Sequence, residues 1–191
     1  MHAAFTPTVS KYLNQPNHEI ELRLGRVTRN KFDTNVGLDA YQKALSGLKQ
    51  YQGWEQTKES RDTLYYGQDG KRATMNADTG DVTRMIKKRI EVQDFPLQPF
   101  DVRLGISTEI PYEEMADEEV FDETKLRYRH SFIRKNLSID VSMIKGSPDD
   151  LDAEEDLSYQ IELEIIDPSA IKDDNELYNL LYKVFDVMKI I

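Results

Sequence analysis

Apolar and polar residues alternate with a period of two along most of the chain, the pattern of strands whose successive side chains point to opposite faces. Such stretches cover residues 18–27, 54–59, 62–67, 71–76, 82–93, 100–110, 125–134, 137–145 and 158–166. Two segments change to helical spacing. Residues 38–52 set Leu38, Tyr41, Leu45 and Leu48 on one side, and residues 174–189 do the same with Leu177, Leu180, Leu181, Val184 and Met188. Gly67–Gly70 and Asp78–Asp81 have the glycine and aspartate content of hairpin turns. No repeat, low-complexity tract or linker interrupts the 191 residues, so a single domain, 1–191, is expected. Nine short strands joined mostly by hairpins predict a mainly β fold with flanking helices (α+β), either an antiparallel barrel or a sandwich.

The polar faces of these strands are sorted by charge. Glu19, Glu21 and Arg23 share a face of the first strand, opposite Ile20, Leu22 and Leu24. Gln160, Glu162 and Glu164 do so in the last, opposite Ile161, Leu163 and Ile165. Between them come basic faces: Lys125, Arg127 and Arg129; Lys87 and Arg89 with Glu91; Arg72 with Thr74 and Asn76; Arg103 with Ser107 and Glu109. A sheet with one face in water accounts for any one of these strands. Together they predict something tighter. If the sheet closes with these faces inward, four carboxylates meet several cations in a confined space, an arrangement that is costly without counterions. A metal on the acids and a polyphosphate on the bases would balance both sets.

Composition narrows the chemistry. The chain has no cysteine and three scattered histidines (His2, His18, His130), which argues against thiolate or histidine-built metal sites. Oxygen ligands remain, and they favour hard ions such as Mg2+ or Mn2+. The net charge of −10 argues at first against a nucleic-acid partner. However, the acids crowd into 113–123 and 149–156, which read as solvated loops, while the bases recur inside strands. No apolar run approaches the roughly 20 residues of a membrane span, and no signal peptide opens the chain. A soluble, intracellular protein without a membrane partner is expected.

The motifs HEIELRLG (18–25), KLRYRHSF (125–132) and YQIELEI (159–165), with FDVRLGISTEIP (100–111) and LSIDVS (137–142), resemble in matching order the triphosphate tunnel metalloenzymes. The likeness is to the metal-dependent RNA 5′-triphosphatases of fungal, protozoan and large-DNA-virus mRNA capping, and within these to the triphosphatase domain of giant-virus capping enzymes. The resemblance implies an antiparallel eight-stranded β-barrel, the triphosphate tunnel. It implies that Glu19, Glu21, Glu162 and Glu164 bind Mn2+ or Mg2+, and that Arg72, Lys87, Arg127 and Arg129 grip the triphosphate. Glu109 would orient the attacking water, with Arg127 and Arg129 sharing the catalytic work, while Asp62 and Asp140 buttress the basic side chains. The substrate implied is the RNA 5′-triphosphate end, with nucleoside triphosphate as a further one. The products are a 5′-diphosphate end and phosphate, the first step of cap formation. A capping guanylyltransferase, on the same or a separate chain, is the implied partner. The setting would be the virion or host cytoplasm for a virus and the nucleus for a cell.

Two positions depart from the family. Arg23 stands where the small-molecule branch carries lysine, and Gln160 where the fungal enzymes carry a further acid. Two alternatives stand beside this reading, a small-molecule (tri)polyphosphatase of the same fold and a non-enzymatic β-rich interaction module. Lys125 fits either a tunnel mouth or solvent. His130 reads as a packed or surface histidine, and Trp54, Tyr65 and Tyr66 as packing aromatics.

Overall fold

The structure, a computed structural model, describes residues 7–15, 17–29, 31–113, 120–146 and 157–191. The acidic stretch 149–156 and most of 113–123 lie outside the described residues, as does His2.

The strands are β1 (His18–Thr28), β2 (Lys31–Asp33), β3 (Gln56–Gly67), β4 (Lys71–Asn76), β5 (Val82–Phe95), β6 (Asp101–Pro111), β7 (Phe121–Arg134), β8 (Leu137–Lys145) and β9 (Leu157–Ile165). Every pairing between them is antiparallel. The order β1-β6-β5-β4-β3-β7-β8-β9 returns to β1, so eight strands close into a barrel and β2 adds a short flap to the end of β1. Closure decides for the barrel over the sandwich. Residues 54–59 and 62–67, read as two strands, merge into the single strand β3, which begins at Gln56 and leaves Trp54 and Glu55 outside it. Its polar run Glu59–Asp62 remains in the ladder because it pairs residue for residue with β7. The turn at 68–70 places Asp69 and Gly70 at positive φ, and Gly80 does the same after β4, as the hairpin residues predicted.

This barrel is apolar outside and polar inside. Ile20, Leu22 and Leu24 of β1, Val102, Leu104 and Ile106 of β6, Ile139 and Val141 of β8, and Ile161, Leu163 and Ile165 of β9 all point outward. There they form the buried core with two helices, α1 (Leu38–Gln50) and α2 (Asp174–Met188), and with Val9 and Leu13. α2 buries the predicted stripe Leu177, Leu180, Leu181, Val184 and Met188 and is capped by Asp173, whose carboxylate accepts from Glu176 N at 2.8 Å. α1 is turned slightly from the expected face. It buries Ala40, Tyr41, Ala44 and Leu48, while Leu38 at its first turn is exposed. With the apolar sides satisfied outside, the alternate side chains of the same strands have only the barrel interior to face.

Candidate active site

The interior is a cavity of about 730 Å³. Glu19, Glu21, Arg72, Lys87, Glu109, Arg127, Arg129, Glu162 and Glu164 all line it. One wall is acidic. β1 and β9 lie side by side, with Glu21 directly opposite Glu164 and Arg23 opposite Glu162. Gly105 of β6 flanks Glu21 on the other side, and a Cβ there would stand 3.1 Å from Glu21 Oε1. Glycine therefore leaves this carboxylate its space.

These acids are mostly held by cations. Lys87 Nζ bonds Glu19 and lies 3.0 Å from Glu109 Oε1, and Ser107 Oγ donates to Glu19 at 2.9 Å. Arg23 reaches Glu21 at 2.9 Å and Glu162 at 3.0 Å. Burial drives the Glu162 carboxyl up, but Arg23, Arg129, Arg127 and Lys87 outweigh it and leave the group below its ordinary value. Glu21 ends above its ordinary value because burial, with Glu19 and Glu162 nearby, outweighs Arg23 and Lys87. Glu164 differs from the other three. It forms no ion pair among the described residues, and burial together with Glu19, Asp140 and Glu109 pushes it up to about 8 against the pull of Arg129.

The opposite wall is basic. Arg127 donates to Asp62 at 2.8 and 3.2 Å, and Asp62 also accepts from Ser60 and Asn76. Arg129 lies 2.9 Å from Asp140, which accepts from Ser138 at 2.7 Å. Both aspartates are about 95% buried, at 6% and 4% exposure, so each guanidinium is fixed from behind, and the second terminal nitrogen of Arg129 lies 3.9 Å from Glu162 of the acidic wall. Burial and the neighbouring Arg129 together lower the Arg127 guanidinium. Burial would lower Arg129 too, but Asp140, Glu162 and Glu164 hold it above its ordinary value. Among the described residues, two buried polar atoms on this wall have no hydrogen-bond partner, Arg129 Nε and the hydroxyl of Ser142, its register partner on β8. Buried donors normally have acceptors, so these two mark where a ligand oxygen would fit.

Three features went unread in the sequence. Ser142 shares a strand face with Ser138 and Asp140, an alternation that could have been noticed. Tyr66 lines the cavity and carries Arg72 over its ring; Tyr65 also borders the cavity but meets Phe121, and Trp54 meets Phe132, as packing aromatics should. The third is a bulge in β5. Arg89 pairs with Ser107 and Glu91 with the adjacent Ile106, so Ile90 is extra and Glu91 turns to the outer face, where it accepts from Tyr12 Oη at 2.8 Å. Arg89 and Glu91, expected on one face, are thereby separated. Lys125 lines the cavity, paired with Glu123 at 2.9 Å. His130 is buried on the outer side, 3.0 Å from Glu59.

Residues 39–180 match the family described as mRNA capping enzyme, beta chain. The chain belongs to that family of mRNA triphosphatases. It is an RNA 5′-triphosphatase, with the tunnel just described as the family's barrel. No curated protein matches it by sequence. Its fold is that of the Schizosaccharomyces pombe RNA triphosphatase Pct1, at 17% identity over 99% of this chain and 91% of that one, TM-score 0.81. The Mimivirus capping enzyme triphosphatase matches at 16% identity over 98% and 96% of the two chains, TM-score 0.68. Both belong to the fungal and large-DNA-virus kinds of capping triphosphatase that the sequence motifs resemble.

Proposed function

We propose that this triphosphatase is metal-dependent, removes the γ-phosphate of a nascent mRNA 5′ end, and also accepts nucleoside triphosphates. The observation that carries the reading is the pair of unpartnered donors, Arg129 Nε and Ser142 Oγ, facing an acidic wall with one uncompensated carboxylate. Among the described residues no three acids converge into a ready-made metal cluster, because Lys87 and Arg23 hold Glu19, Glu21 and Glu162. The donor set still fits a hard divalent ion. It is all oxygen, spread over two adjacent strands, and short of positive charge at Glu164. Glu19, Glu21, Glu162 and Glu164 would hold Mn2+ or Mg2+, with Glu164 the ligand most in need of it. Such an ion supplies Lewis-acid neutralisation of the terminal phosphate.

The chain's own residues do the rest. Phosphoryl transfer needs positioning and charge neutralisation more than covalent help. Arg127 and Arg129, braced by Asp62 and Asp140, neutralise phosphate oxygens on the basic wall, and Arg72 and Lys87 add charge from β4 and β5. Ser142 donates its free hydroxyl to a phosphate oxygen. Glu109, held near the acidic wall by Lys87, orients the attacking water and accepts its proton. Because the grip is on phosphates, free nucleotides share the site. The product end is the substrate of a capping guanylyltransferase, which places the enzyme in the nucleus of a cell, or in the virion or host cytoplasm for a virus.

The test is phosphate release from triphosphate-ended RNA, a nucleoside triphosphate and tripolyphosphate, with Mn2+, with Mg2+ and with chelator. Release from RNA and from the nucleotide that disappears in chelator is expected. Full activity in chelator would remove the metal from the mechanism.

A further inference from the structure

Two kinds of support hold the cations of the tunnel. Arg127 and Arg129 are each backed by a buried carboxylate, so the charge of each guanidinium is already balanced by an anion. Arg72 has no acid beside it among the described residues. Its guanidinium sits over the ring of Tyr66, 5.3 Å from the centroid, and Lys125 Nζ sits over the same ring at 5.4 Å. Tyr66 and Arg72 are direct partners across β3 and β4, so the ladder fixes the contact. Lys125 belongs to the same inner wall, on β7 opposite Leu64 and so two residue pairs from Tyr66.

An aromatic face attracts cations through its quadrupole and brings no net charge. It can therefore order two cations without neutralising them, which a carboxylate in its place could not do. Lys125 is partly balanced by Glu123, an exposed acid 2.9 Å away, so Arg72 keeps the fuller positive charge. We propose that Tyr66 is a positioning residue for the triphosphate: it holds Arg72 and Lys125 aimed into the tunnel as an anion-binding pair, separate from the arginines backed by aspartate. This rests on the reading of the tunnel as the triphosphate site. Ordering the two cations before the substrate arrives lowers the cost of binding, so Tyr66 acts on KM and leaves the chemical step to the other residues.

The experiment compares steady-state kinetics on triphosphate-ended RNA in Mn2+ for the wild type, Tyr66→Leu and Tyr66→Phe. Leucine fills the space without a π face, and the loss of two cation–π contacts should raise KM by roughly tenfold with kcat within about twofold of wild type. Phenylalanine keeps the ring and should restore the wild-type KM. Tyr66→Met takes the place of the leucine variant if that chain does not fold. An unchanged KM in the variant without a ring, a phenylalanine variant as weak as the leucine one, or a loss confined to kcat would each overturn the proposal. A wild-type protein that releases no phosphate from RNA would instead overturn the reading of the tunnel itself.

Discussion

Consider Glu164→Gln in protein stripped of metal. Among the described residues Glu164 is the one carboxylate of the acidic wall without an ion pair, and its folded-state pKa is pushed from 4.5 up to about 8. The sign follows from which state ionises first. Below pH 4.5 the group is protonated in both the folded and the unfolded chain, and it has no effect on stability. As pH rises from there towards 8, the unfolded chain ionises and the folded one does not, so stability falls until the folded group also ionises. At about 1.4 kcal/mol per unit, the shift sets a ceiling of roughly 5 kcal/mol lost by pH 8. Water in the tunnel screens the group, so an effect of about 1–2 kcal/mol is expected. Glutamine has the shape without the charge. Denaturation in chelator should show Glu164→Gln equal to wild type near pH 5, and more stable near pH 8 by roughly 3–6 °C in Tm. Added Mn2+ should reverse the order, because the ion stabilises only the protein that binds it well, and activity should be lost in the mutant. Equal stabilities at pH 8 in chelator would refute the claim that Glu164 is a charge the fold leaves for a cation.

The remaining tests address the other roles. Arg127→Ala or Arg129→Ala should cost on the order of 3 kcal/mol or more of transition-state stabilisation, and lysine should restore only part of it, since it returns charge without the guanidinium fork; equal rates for arginine, lysine and alanine would place these side chains outside the reaction. Glu109→Gln should keep metal and substrate affinity while turnover falls steeply, whereas Glu21→Gln should recover partly at high Mn2+ because an amide is a poorer ligand for a hard cation. A manganese titration of both variants decides this, and rescue of Glu109→Gln would make Glu109 a ligand.

The alternation of Glu19, Ile20, Glu21 and Leu22, or of Arg127, Tyr128 and Arg129, told correctly which side chains share a face, because a strand allows no other arrangement. Whether that face turns inward was not legible from any one strand. Here the acidic and basic faces turn inward because the alternate apolar faces bury themselves against α1 and α2, so the helices decide which side of the sheet becomes the tunnel. What failed was local. The bulge at Ile90 breaks the alternation of β5 without any glycine or proline to announce it, and only pairing with β6 reveals that Glu91 has left the face of Arg89. The continuity of β3 was hidden by its polar middle, which is stable only because β7 supplies a partner at every residue.

The same inversion explains how a chain with a net charge of −10 takes a polyanion. Summed charge governs the field far from the protein, but a phosphate inside a tunnel meets the wall within a few ångströms, where local cations dominate. In the tunnel the acids are themselves divided. Glu19, Glu21 and Glu162 are tied to Lys87 and Arg23, and Asp62 and Asp140 are spent on Arg127 and Arg129. Among the described residues that leaves Arg72 and Glu164 without an ion pair. An arrangement in which every charge had its partner would be more stable and would bind neither ion. On the reading proposed above, these two groups, one of each sign, would give the tunnel its demand for a divalent cation and a phosphate anion together.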